Sequence, residues 1–225
     1  MSKFHFRSSL DRSKLPLSVQ RNLAESESQL YFKKNEVIYG EGSFPKGIYI
    51  IRKGMVKAVH LNDDGSTQII YFYIPGEVFG YRPLLCQEAN PVTAVALEPV
   101  VVDFIRAEDF LNILQNSKEL SHQLLFNLSK EFSMWVNRIN VFAQRSVRER
   151  LALALLILNE KFGGQNGEAA TIYLTKTDLG NYIGTSIEVL VRTLKEFEKS
   201  GWVHTNGKEI KIKNRLKLYN EAGIH

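Results

Sequence analysis

Near the carboxyl end, Glu188, Arg192 and Lys195 follow one another at steps of four and three. On a helix that spacing sets three charged heads in one row. Leu190, Leu194 and Phe197 repeat it and mark the opposite, buried face. An arginine in such a row can donate two hydrogen bonds to guanine O6 and N7, and a glutamate can accept from the cytosine amino group. Ile187 and Val191 stand beside them, where an apolar side chain could touch a thymine methyl. Lys176, Lys195, Lys208 and His204 are candidates for phosphate contacts, which position without reading sequence. Plainer chemistry fits the same residues. Thr185-x-x-Glu188 has the form of a capping box, Glu188 and Arg192 could pair with each other on the surface, and Lys195 could be solvated. Spacing alone leaves both readings open.

The elements that must hold this row are legible upstream. Thr175 can cap a helix, with Asp178 favouring its positive end, and Leu179 and Ile183 give it a buried face. Gly184 permits a tight turn. Thr185 or Ser186 then caps the second helix, and both join the candidate contacts at its start. Two helices about a glycine turn, the second with a polar outer row, make a helix-turn-helix. Trp202–Thr205, the turn Asn206-Gly207 and Ile210–Ile212 predict a hairpin wing. Further upstream, Leu120, Leu124, Leu128, Phe132, Trp135, Ile139 and Phe142 step by fours and threes with no glycine or proline between Ser117 and Gln144. A helix of that length, roughly 40 Å at 1.5 Å per residue, outruns a small domain, so the stripe is expected to be a seam against the same helix of a second chain. Before it the texture is short strands: Val37–Tyr39, Gly47–Arg52, Met55–Leu61, Thr67–Ile74 and Val92–Val102, separated by turn signals such as Asp64-Gly65 and Pro75-Gly76. These predict an antiparallel sandwich or roll.

The chain has 225 residues, 44% hydrophobic and 24% charged, which excludes a disordered or fibrous protein. A net charge of +5 permits nucleic-acid binding without proving it. Cys86 is the single cysteine, so a zinc finger, an iron–sulfur cluster and an internal disulfide are excluded. After Leu84-Leu85 it is expected to be buried and inert. No apolar run approaches the roughly 20 residues that span a bilayer. A cytoplasmic protein with no membrane association is the expectation. The histidines have no spacing of an axial haem pair, and only His60 falls in the strand region, so neither a metal site nor catalytic residues are assigned and no enzymatic activity is expected.

The stretch Leu174–Val203 resembles the winged helix-turn-helix of the cyclic-AMP receptor protein/FNR (Crp/Fnr) family of bacterial transcription regulators. Phe32–Gly42, Tyr49–Gly54 and Pro75–Gly80 are similar to that family's sensor roll, and Ser146–Ala152 to its hinge and first DNA-domain helix. The resemblance implies an α+β protein: a cyclic-nucleotide-binding-like β-roll (a double-stranded β-helix) over 1–116, a dimerisation helix and hinge over 117–145, and a winged helix-turn-helix over 146–225. It places the family's Glu-x-x-x-Arg pair on Glu188 and Arg192. It further implies a homodimer on a palindromic double-stranded DNA operator, with RNA polymerase as a partner; the Gly163–Gly167 loop is either one place for it to touch or a solvated linker. The family's effector pocket falls on Gly80, Tyr81, Arg82 and Thr93. There Tyr81 replaces the ribose-binding glutamate and Val92 the phosphate-binding arginine, so cyclic AMP is not the expected effector. Haem and an iron–sulfur cluster are not expected either, which leaves no assigned cofactor. The competing reading is a small-molecule-binding regulatory module whose DNA domain is degenerate.

Overall fold

The protein is described here by a computed structural model covering residues 10–163 and 171–223, without the side chains of 140–143. Phe142 of the expected seam and Gly164–Gly167 of the expected loop therefore lie outside the described side chains and residues. The chain divides after Phe132 into two compact units.

The first unit opens with β1 (Leu10–Asp11), a 3-10 turn and α1 (Leu17–Glu25). Then come β2 (Ser28–Phe32), β3 (Val37–Tyr39), β4 (Gly47–Lys53), β5 (Val56–Leu61), β6 (Thr67–Tyr73), β7 (Glu77–Phe79), α2 (Tyr81–Cys86), β8 (Thr93–Ala96), β9 (Val100–Arg106) and α3 (Ala107–Asn116). Two antiparallel sheets result, ordered β1-β7-β4-β9-β2 and β3-β8-β5-β6. The period of two along β4 explains the layering. Tyr49 and Ile51 pack with Val56, Tyr73, Phe79 and Val102 in one apolar cluster, whereas Ile48 and Ile50 join Leu23, Ile105 and Phe110 in another. Burial on both faces is why β4 is apolar without alternation. The expected single run Val92–Val102 is two strands. Val56 pairs with Ala96, while Val102 pairs with Ile51 in the other sheet. The chain changes sheet through Pro99, which lacks an N–H for a ladder.

The helix α4 (Lys118–Gln144) corrects the expected seam. Leu120 and Leu124 are buried in the first unit's core, and Leu128 packs against it. These three hold the helix to its own roll. The uncovered apolar face starts later: Leu125 is 65% exposed, Phe132 71% and Ile139 63%, with Trp135 between them at 36%. Leu125, Phe132 and Ile139 are seven apart, with Leu128 and Trp135 at the alternate steps, which is heptad spacing.

The second unit is built around α5 (Val147–Phe162), whose residues 151–158 are all buried. A capping box fixes its start, the Ser146 hydroxyl accepting from the Glu149 N–H and the Glu149 carboxylate accepting from the Ser146 N–H. Around it pack β10 (Thr171–Tyr173), α6 (Lys176–Ile183), α7 (Ile187–Lys199), β11 (Val203–Asn206), β12 (Glu209–Ile212) and α8 (Arg215–Glu221). The wing is a three-stranded sheet, β10-β12-β11, rather than a lone hairpin. Among the described residues no helix is long and apolar enough to cross a membrane.

Candidate nucleic-acid interface

The α6–α7 pair forms as the cap residues require. The Thr175 hydroxyl accepts from the Asp178 N–H at 2.9 Å, and Ser186, not Thr185, caps α7 by accepting from the Val189 N–H. Between the helices Gly184 has φ +69°, a left-handed conformation that residues other than glycine rarely adopt. Gly180 lies so close to the next turn that an added Cβ would sit 3.1 Å from the Thr185 carbonyl. Leu190, Leu194 and Phe197 are buried, so the apolar face of α7 is the one the spacing indicated.

The outer row is free. Ile187, Glu188, Arg192 and Lys195 are exposed, and Val191 is half-exposed beside them. With Ser186 as the cap, the residue three along is Val189, so Glu188 takes no part in a capping box. Among the described residues neither Glu188 nor Arg192 has an ion-pair or hydrogen-bond partner. The two plainer chemistries that the sequence allowed for Glu188 and Arg192 are thus not used. Their charged groups remain solvated, with donors and acceptors available to an outside partner.

The other candidates are partly engaged. The Lys176 ammonium donates to the Gly207 carbonyl at 3.1 Å, tying the start of α6 to the wing turn, and burial pushes its pKa down. His204 is exposed, with Nδ1 3.5 Å from the Glu198 carboxylate. Lys208 is exposed at the wing turn. Glu198 accepts from the Thr205 N–H at 2.7 Å and from its hydroxyl at 3.0 Å, which fastens the end of α7 to β11.

Two positioning residues escaped the sequence reading. Arg150 on α5 donates to the carbonyls of Ile183 at 2.8 Å and Gly184 at 3.3 Å, at the C-terminus of α6 where a cation is favoured. Arg148 donates to Glu221 at 2.8 Å and Glu196 at 2.7 Å, with its guanidinium over the Phe197 and Trp202 rings. It joins α5, α7 and α8. The only signal for either is an arginine in the first turns of an otherwise apolar helix.

The expected effector residues are turned to internal work. The Arg82 guanidinium meets the buried Glu131 carboxylate through two nitrogens, Nε at 2.7 Å and Nη2 at 2.6 Å, and also reaches the Tyr73 hydroxyl at 3.3 Å. Tyr81 is fully buried, its phenol pKa pushed up by burial, and donates to Glu131 at 2.9 Å. The Thr93 hydroxyl accepts from the Glu41 N–H at 3.0 Å. Between the sheets, Tyr39, Tyr49, Tyr73 and Phe79 pack ring against ring at 4.9–6.0 Å. Arg82, the cation among these expected residues, is already committed to Glu131, and a buried anion without a partner is costly. The residues present do not fit that ligand. Cys86 is exposed, contrary to expectation, because it ends α2 at the surface. One thiolate cannot hold an iron–sulfur cluster, and no group of three metal-ligating side chains occurs among the described residues.

A two-sheet roll, a long helix and a winged helix-turn-helix with an open polar row define a class of DNA-binding regulator. Residues 29–117 match the family model of the cyclic nucleotide-binding domain, and residues 149–221 that of the Crp-like helix-turn-helix domain. The chain is 30% identical over 186 residues to the regulatory protein HlyX of Actinobacillus pleuropneumoniae, covering 82% of this chain and 77% of that protein. It is 28% identical over 193 residues to the fumarate and nitrate reduction regulatory protein of Escherichia coli, covering 85% and 77%. The structure of FixK2 from Bradyrhizobium japonicum superposes with a TM-score of 0.77 at 23% identity, covering 86% of this chain and 96% of that one. The chain belongs to the Crp/Fnr family and is a DNA-binding transcription regulator.

Proposed function

We propose that the protein acts as a homodimer, clasped along the exposed heptad face of α4, and reads an inverted-repeat operator with two copies of α7. Two-fold symmetry then sets the helices about 34 Å apart, in successive major grooves. Arg192 donates to a guanine and Glu188 accepts from a cytosine. Ile187 and Val191 touch base methyls. Thr185, Ser186, Lys176, Lys195, Lys208 and His204 meet the phosphates. The observation that supports this reading is the Glu188–Arg192 pair, exposed and unpartnered on the second helix of the motif.

The domain division carried forward is roll to 116, connecting helix to 145 and winged domain thereafter. The reading assigns the chain no catalytic step and places it in the cytoplasm, where the DNA is, with RNA polymerase as its further partner. Regulation, where it occurs, uses a small effector other than cyclic AMP. The engagement of Arg82 by Glu131 supports that choice. Selection of bound duplexes from a random pool tests the reading. It should enrich a palindrome, and Arg192→Ala should lose preference at one position of each half-site. Equal binding of all sequences by the unaltered protein would overturn it.

A further inference from the structure

The joint between α4 and the winged domain is short. α4 ends at Gln144 and α5 begins at Val147, which leaves Arg145 and the cap Ser146 between them. A few element-terminal residues of this kind can act as a hinge. A swing there would carry α5, α6 and α7 together, because Arg150 ties α5 to the carbonyls that end α6, and α6 packs on α7. The Arg138 side chain bridges this joint. Its guanidinium stands over the ring of Tyr182 on α6, 4.7 Å from the centroid, and 5.4 Å from the centroid of the Trp135 ring on α4 itself. Both distances are within reach of a cation–π attraction. Tyr182 is buried and immediately precedes Ile183 and Gly184. The last turn of α6 is thus held by Arg150 from α5 and by Arg138 from α4. Arg138 also flanks the exposed heptad face. Phe132 and Ile139 share one heptad position, so Glu131 and Arg138 share the one before it. Charges at such flanking positions ordinarily pair across a coiled-coil seam. Here both are engaged within the chain, Glu131 by Arg82 and Arg138 by two aromatic rings.

We propose that Arg138 is a positioning residue for operator recognition: by engaging Trp135 and Tyr182 together it fixes α7 relative to the exposed face of α4, and so sets the half-site spacing that the dimer accepts. The role rests on the homodimer and inverted-repeat reading. A cation against aromatic rings contributes most where water is excluded, and here Tyr182 is buried and Arg138 half-buried. One base pair added between half-sites moves one of them by about 3.4 Å along the duplex and turns it by about 34–36°. A dimer whose joint is fixed rejects that change. A dimer whose joint swings accepts it.

Three duplexes test this, each carrying the selected half-site as an inverted repeat, with the spacer at its optimum, one base pair shorter and one base pair longer. The full-length unaltered protein should bind the optimum about ten-fold more tightly than either neighbour, the size of one desolvated cation–π contact. Arg138→Gln should lose about that ten-fold at the optimum and bind all three spacings alike. Its sedimentation, its melting temperature and its base preference within each half-site should match those of the unaltered protein, because the apolar heptad residues and the outward row of α7 are untouched. A ratio between spacings is insensitive to a general loss of folded protein. Undiminished spacing discrimination in Arg138→Gln, or a loss of affinity equal at every spacing, would overturn the inference and leave the operator reading standing. If the unaltered protein selects no inverted repeat, the operator reading fails and this inference fails with it.

Discussion

Arg82 with Glu131 and Glu188 with Arg192 set a part-buried arginine and glutamate against an exposed arginine and glutamate. In the roll, Arg82 and Glu131 meet in a two-nitrogen ion pair, with Tyr81 and Tyr73 completing it. On α7, Glu188 and Arg192 stand one helical turn apart and do not pair at all. Identical side chains thus serve opposite ends. The first pair finishes its hydrogen bonding internally and joins α2 to α4. The second leaves its hydrogen bonding for something outside the fold. A charged residue's role is told by who answers it rather than by its type, and a helix surface that forgoes an available i, i+4 pair keeps its groups open to a partner.

Substitutions that break this contrast should differ in kind as well as in size. Glu131→Gln leaves Arg82 partly buried without its anion and should destabilise the roll by about 3 kcal/mol in urea unfolding, at the low end for broken buried pairs because Arg82 retains some exposure. The double change Arg82→Leu with Glu131→Leu should recover much of that loss. If it recovers none, the pair is more than structural. Phe132→Asp or Ile139→Asp, on the exposed face of α4, should cost the proposed dimer about 2 kcal/mol or more, with sedimentation shifting toward the single chain and folding of the roll unchanged. Arg192→Ala and Glu188→Ala should each cost roughly 1–3 kcal/mol of affinity for the selected palindrome while the winged domain melts within about 0.5 kcal/mol of the original. A stability loss larger than the affinity loss would erase the contrast.

Lys195→Gln and Lys208→Gln should weaken every duplex alike and lower the salt slope by about 0.9 for each phosphate contact removed per site. The smallest effect concerns acid. Hydrogen bonds from Thr205 hold the Glu198 carboxyl below its ordinary value of 4.5, and those from Ser146 do the same for Glu149. A depressed carboxyl contributes stability above the unfolded value that is lost as pH falls through the folded one. Melting of the winged domain should therefore drop as pH is taken below about 4.5, and Glu198→Gln should flatten part of that drop.

Much of this architecture was legible beforehand because local rules and tertiary needs agree. Thr175, Gly184 and the apolar triad of α7 each specify the helix-turn-helix through backbone geometry close in sequence. Strands β3 to β6 announce themselves through turn residues and β-branched runs. What stayed hidden depends on partners far along the chain. The stripe on α4 has one period throughout, yet its beginning packs on the roll and its remainder does not, and period cannot say where the cover ends. Val92–Val102 reads as one apolar run because strands of both sheets are apolar, and only Pro99 marks the crossing. For the candidate site, the row on α7 could be read but not its freedom from internal partners. Arg82 could be read as a cation but not as one already matched by a residue 49 positions away. The positioning roles of Arg148 and Arg150 were missed, since their partners lie on three other elements.

Arg150 leads somewhere further. Its guanidinium grips the bend between α6 and α7 from beneath, on a helix that contributes nothing to the outward row. On the proposed reading, the tilt of α7 and the letters it prefers are governed by separate residues. Such a separation makes the vocabulary editable: a different set of outward side chains could be installed on α7, giving a new operator, while the pose in which they are offered stays as it was.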